Sequence, residues 1–150
     1  MIEKLVSVNP ATGKAIAAYP VHDELYVEKA MKQTEKTFDE WRHLPFSKRA
    51  AVLKNIAREI RNEKDNLVRL ATLEMGKPTA QGHYEVEKCA ATLEFYAREG
   101  AGFLKDEIIK TDARKSYVSF QPLGAVLAIM PWNFPYWQVF RAFAPTAMAG

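Results

Sequence analysis

The sequence predicts an α/β fold: an N-terminal hairpin, four amphipathic helices, then the first strand and helix of a parallel sheet that these 150 residues leave incomplete. Three observations predict it. Turn residues sit between two short apolar runs near the start. A helical period of apolar residues takes over from Asp23. A continuous apolar run, Leu123 to Ile129, then leads through a proline-bounded turn into a second apolar helical pattern.

Each element has a local cause. Leu5-Val6-Ser7-Val8 and Ala15-Ile16-Ala17-Ala18-Tyr19 flank Asn9-Pro10-Ala11-Thr12-Gly13, which is turn chemistry, so residues 1–20 read as a β-hairpin. Val27, Ala30, Met31, Thr34, Phe38 and Trp41 then fall on one helical face, with Asp23 placed to cap the first turn and Pro45 to end the element. Ser47 is a candidate cap for a second helix, whose stripe is Val52, Leu53, Ile56, Ala57 and Ile60. A third helix, near Asp65 to Glu74, should stop at Gly76, which suits a left-handed position, with Pro78 just beyond. Thr79 opens a fourth, with Val86, Cys89, Ala90, Leu93, Tyr96 and Ala97 inward and Gly100 and Gly102 closing it, so the helical segment covers 23–102.

The last segment, 114–150, changes texture. Ser116 to Phe120 favours a strand. The run of seven from Leu123 to Ile129 fits a strand buried on both faces of a parallel sheet. Pro131 to Pro135 makes a turn, Pro135 suits a first helical position, and Pro145 bends or ends that helix. A single apolar strand without neighbours should expose its edge and favour aggregation or dimerisation.

Composition narrows the function classes. The chain is 48% hydrophobic and 26% charged, which excludes disorder and fibrous repeats. Twenty-one Lys and Arg against 18 Asp and Glu leave +3, too small a surplus to argue for nucleic acid or an anionic membrane. One cysteine excludes an internal disulfide framework and a multi-cysteine zinc site, and His22, His43 and His83 lie apart, so no metal is expected. The longest nearly apolar run, Leu123 to Trp132, is about half of the roughly 20 residues a membrane helix needs. With no secretory pattern at the start, the expectation is a cytoplasmic domain.

The turn Met130-Pro131-Trp132-Asn133-Phe134-Pro135 is the candidate site, because ligands bind where strands of an α/β sheet hand over to helices. Asn133 carries the only amide there. A neutral amide donating two protons suits an oxygen that gains negative charge in a reaction, and it equally suits a helix cap. Arg141 is the only charged residue between Gln121 and Gly150. A guanidinium among aromatics either grips a carboxylate bidentately or reaches solvent past its neighbours. Cys89, mid-helix on the apolar face, reads as a buried structural thiol, and Glu85 and Glu87 read as solvated helix positions.

Pro131-Trp132-Asn133-Phe134-Pro135 closely resembles the NAD(P)-dependent aldehyde dehydrogenase superfamily. Asn9-Pro10-Ala11-Thr12-Gly13, Leu73-Glu74-Met75-Gly76-Lys77-Pro78 and Pro122-Leu123-Gly124 agree with it in order and spacing, so the resemblance covers essentially the whole chain. Phe134 to Arg141 looks most like the succinate-semialdehyde branch. The resemblance implies an aldehyde dehydrogenase-like fold with a Rossmann-like sheet, a homo-oligomer (dimer or tetramer), NAD or NADP as cofactor and an aldehyde as substrate. It implies that Asn133 is the oxyanion-hole donor when a cysteine thiolate attacks the aldehyde. Ile129, Met130, Pro131 and Trp132 would lie along the cofactor ribose. Phe134, Trp137, Gln138 and Arg141 would line the substrate tunnel, with Arg141 at a position that binds the distal carboxylate of succinic semialdehyde. The family's nucleophile, general-base glutamate and glycine-rich cofactor turn match nothing here, so the catalytic domain is expected to be absent from these residues and the chain alone to be inactive. The alternative is a truncated, non-catalytic fragment that serves at most in packing or oligomerisation.

Overall fold

The computed structural model describes residues 3–150. Strands β1 (Lys4–Val8) and β2 (Ala15–Pro20) pair antiparallel, from Lys4↔Pro20 to Val8↔Ala15, with a register shift after Ser7. The predicted turn forms as its chemistry dictates: Asn9 Oδ1 accepts from the N–H of Ala11 at 2.9 Å, and Gly13 takes a φ of 68°. The first two positions of the hairpin expected over 1–20 lie outside the described residues.

Helices α1 (Glu24–Trp41), α2 (Phe46–Asn62), α3 (Lys64–Met75) and α4 (Thr79–Phe103) follow in the predicted order. Asp23 caps α1, its carboxylate accepting from the Tyr26 N–H at 2.8 Å. Gly76 closes α3 at a φ of 75°, and a Cβ there would meet Pro10 Cγ at 3.3 Å, so the hairpin turn packs against this cap. Several local expectations are corrected. Helix α1 ends at Trp41, and Pro45 rather than Ser47 stands at the start of α2, where its extended backbone leads straight into Phe46. Gly100 and Gly102 lie inside α4. The absence of a side chain at Gly100 admits Met148, whose Cβ an added methyl would approach to 3.1 Å, so this glycine serves close helix packing.

The core lies where α2, α4 and α5 (Trp137–Ala149) meet, built on Leu53, Ala57, Val86, Cys89, Leu93, Ala144 and Met148. Each fully buried Leu, Val or Met side chain there contributes about 1.5–3 kcal/mol. Two polar side chains finish the C-terminal end of α5: the Trp41 indole donates to the Ala147 carbonyl at 2.9 Å, and the buried Arg49 donates to the Met148 carbonyl at 2.8 Å. Helix α5 continues through Pro145 to Ala149 rather than ending there.

Two larger expectations change. The stripe on α1 has no buried residue: Val27 and Met31 face solvent, while Phe38 and Trp41 at its C-terminal end are half-buried, Trp41 against the core. The run Leu123 to Ile129 forms no strand: Leu123 is fully exposed and Ile129 is 85% exposed. A strand needs ladder partners for its backbone groups, and among the described residues none lies beside it. The apolar side chains of the run are exposed, but no strand edge forms. The strand expected after Lys115 is short, Tyr117–Val118 (β4), and pairs antiparallel with a β3 (Glu107–Ile108) that the sequence did not signal.

Candidate active site

The turn at 131–135 is held from both sides by a buried ion pair. Lys77 lies between the Gly76 cap and Pro78, and Glu85 sits nearly two turns into α4. Both are 2% exposed, and the ammonium contacts Glu85 Oε2. Lys77 Nζ also donates to the Asn133 carbonyl at 3.3 Å and stands 4.1 Å over the Phe134 ring. Glu85 Oε1 accepts from the N–H groups of Tyr136 and Trp137 at 2.9 and 2.8 Å, which are orphan donors at the start of α5. A carboxylate placed at a helix N-terminus is also favoured by the dipole. The Tyr136 hydroxyl donates to the Leu67 carbonyl at 2.8 Å, tying the turn to α3, and burial pushes its pKa up.

This network corrects three expectations. Glu85 is buried, not solvated, whereas Glu87 is half-exposed beside Arg61. Helix α5 starts at Trp137 rather than Pro135, because the carboxylate caps Tyr136 and Trp137. Asn133 does not cap it. A signal for Glu85 existed in the sequence: Glu85, Cys89, Leu93 and Ala97 recur every four residues, and all four are buried. Nothing local singled out Lys77.

The predicted site residues separate into three groups. Asn133 is exposed, and its amide makes no hydrogen bond among the described residues. Phe134 and Trp137 line a groove of about 510 Å³ against Gln81, Tyr84 and Lys88 of α4, with Lys88 Nζ 4.0 Å over the Trp137 ring. Gln138 is half-buried and Arg141 exposed, and neither lines that groove. Arg141 has no salt-bridge partner among the described residues. Ile129, Pro131 and Trp132 are exposed, Trp132 at 76%, with Met130 half-buried between them.

A family model described as the aldehyde dehydrogenase family matches residues 2–150. The chain belongs to the aldehyde dehydrogenase family. It is 43% identical over 146 residues to a probable NADP(+) succinate-semialdehyde dehydrogenase of Synechocystis, covering 97% of this chain and 32% of that protein. It is 37% identical to an NAD(P)+ succinate semialdehyde dehydrogenase of Escherichia coli, covering 97% and 31%. The succinic semialdehyde dehydrogenase of Streptococcus pyogenes, solved with NADP+, superposes with a TM-score of 0.91 at 28% identity, covering 97% of this chain and 32% of that one. The chain thus spans about a third of the length of the curated relatives it matches. Its fold is that of the N-terminal part of an aldehyde dehydrogenase, in which the run after Pro122 remains unpaired here.

Within this aldehyde dehydrogenase chain, Cys89 is a core thiol. It is fully buried, and burial together with the Glu85 charge pushes its pKa up to about 12, so it stays a neutral thiol across the physiological range. The folded protein should therefore give no reaction with a disulfide reagent at pH 8, and full reaction only after denaturant is added. Rapid labelling of the native protein would contradict this burial. No group of His, Cys, Asp and Glu among the described residues could hold a metal. No described helix is long and apolar enough to cross a membrane.

Proposed function

We propose that this chain supplies the oxyanion-hole donor and part of the cofactor and substrate surfaces of an enzyme that oxidises an aldehyde, succinic semialdehyde by preference, to its acid with NAD or NADP. The observation that carries this reading is Asn133: its carbonyl and the following N–H groups are fixed by other residues, while its amide is left unpartnered at the turn. When a thiolate adds to the aldehyde carbon, the carbonyl π electrons move to oxygen, and the Asn133 amide donates a hydrogen bond to that oxyanion. NAD(P)+, held along Ile129 to Trp132, would supply the hydride acceptor by which the adduct is oxidised to a thioester as its carbonyl re-forms. Water cleaves the thioester to the carboxylic acid and returns the thiol. The attacking thiolate belongs to another part of the complete enzyme, because Cys89 is sealed and protonated. The 150 residues alone therefore do not catalyse.

Ile129, just before the turn, and Trp132, within it, are exposed and would lie along the cofactor ribose. These residues hold no phosphate by themselves, so Ile129, Met130, Pro131 and Trp132 form one side of the cofactor site. Phe134, Trp137 and Gln138 shape the aldehyde tunnel. Arg141, unpaired and exposed, grips the distal carboxylate. The enzyme works in the cytoplasm as a homo-oligomer, a dimer or tetramer. The exposed apolar residues Tyr117, Val118 and Phe120 support such an assembly.

Assay of the complete enzyme with NADP+ and NAD+ against succinic semialdehyde and an uncharged aldehyde of similar length tests the reading. Arg141→Leu should raise KM for the charged substrate about 10-fold or more, as expected for a lost charge-assisted pair, and leave the uncharged aldehyde within about twofold. An equal response of both substrates removes the carboxylate grip. No oxidation of either aldehyde by the complete protein removes the activity.

A further inference from the structure

We propose that Lys77 and Glu85 are positioning residues for the reaction: a buried ion pair that fixes the backbone carrying Asn133 and so aims its amide at the oxyanion. The proposal rests on the reading of Asn133 as that donor.

An oxyanion donor works only if it is held within roughly 0.5 Å of its productive place. The prolines alone do not achieve this. Pro131 and Pro135 fix their own φ angles, but the torsions of Asn133 and Phe134 remain free to turn. Lys77 and Glu85 restrain that interval from its two ends. On one side the ammonium takes the Asn133 carbonyl at 3.3 Å and covers the Phe134 ring at 4.1 Å. On the other side the carboxylate takes the N–H groups of Tyr136 and Trp137 at 2.9 and 2.8 Å. The segment between the two anchors is two residues long, and one of them is proline.

The clamp is itself rigidly mounted. The Lys77 carbonyl accepts from the Thr72 hydroxyl at 2.8 Å, and the preceding Gly76 cap sets its direction. Glu85 projects from the buried face of α4, beside Val86 and one turn before Cys89. A buried ion pair is a poor device for stability alone, because well-packed apolar residues of similar volume often hold a fold as well. Here, beyond the contact that joins the two side chains, the hydrogen bonds of Lys77 Nζ and Glu85 Oε1 are directed at the turn. None of its contacts touches the Asn133 side chain, so the pair acts on Asn133 through the main chain only.

The test is a double-mutant cycle in the complete enzyme. Glu85→Gln keeps the volume and weakens both the cap and the ion pair. It should lower kcat for aldehyde oxidation by about 10- to 100-fold, the loss typical of a reacting group displaced by about an ångström. In an Asn133→Ala background the same substitution should change kcat by less than about threefold, because no donor is left to misplace. A purely structural role predicts an equal loss in both backgrounds, and that result overturns the proposal, as does an unchanged kcat in the single variant. If Glu85→Gln does not fold, Lys77→Met with Glu85→Gln removes both charges together and is read by the same cycle. If Asn133→Ala alone leaves kcat unchanged, the reading beneath the proposal fails, and the proposal with it.

Discussion

Asn133→Ala in the complete enzyme should lower kcat by about 100- to 1,000-fold for every aldehyde, charged or not, because that is the usual cost of removing one oxyanion donor. The substitution is a clean one in this fold. The Asn133 main-chain carbonyl is what Lys77 holds, and Glu85 rather than the Asn133 side chain caps α5. The backbone should therefore stay where it is, and the loss should appear in kcat, with KM for the cofactor changed little. Steady-state kinetics on two aldehydes of different charge settle the matter. A kcat within a factor of two of the native value would leave Asn133 as an ordinary exposed turn residue.

The second large effect concerns stability. Glu85→Leu leaves the Lys77 ammonium buried without its counter-charge, which costs about 3–5 kcal/mol where one partner of such a pair is removed. It also strips the part-buried N–H groups of Tyr136 and Trp137 of their acceptor, a further loss below the about 1–3 kcal/mol of a fully buried unmade donor. Urea denaturation should therefore show a loss of at least about 3 kcal/mol. Adding Lys77→Met should recover part of it, since two apolar side chains no longer strand a charge. A Glu85→Leu protein within about 1 kcal/mol of native would mean that water reaches the pair and screens it.

Much of this architecture is legible in the sequence because much of it is local. The Asn9 to Gly13 turn, the Asp23 cap and the left-handed Gly76 depend on residues within a few positions of each other, and all three form. The helical periods of α2 and α4 pick out Leu53, Ala57, Val86, Cys89 and Leu93, all fully buried. The failures are equally instructive. Leu123 to Ile129 has the texture of a buried strand, yet burial is a property of the partners, and a run of apolar residues cannot supply its own ladder. Met31 on α1 fails in the same way.

The candidate site divides along the same line. The proline-bounded turn and its amide are visible as a motif, since rigidity and hydrogen-bonding capacity are written in the residue types. Its support is not. Lys77 and Glu85 reach the turn across 56 and 51 positions, and at single positions both read like surface charges. Only the four-residue recurrence of Glu85 with Cys89 and Leu93 hints that the carboxylate faces inward.

The turn is anchored through a peptide oxygen, two peptide nitrogens, the Phe134 face and the Tyr136 hydroxyl, so apart from Phe134 and Tyr136 it places little demand on which side chains it displays. Residues 138 and 141 can drift during evolution while the scaffold beneath them stays fixed. A lineage can in this way acquire a taste for longer, bulkier or uncharged molecules without rebuilding the machinery that reacts with them.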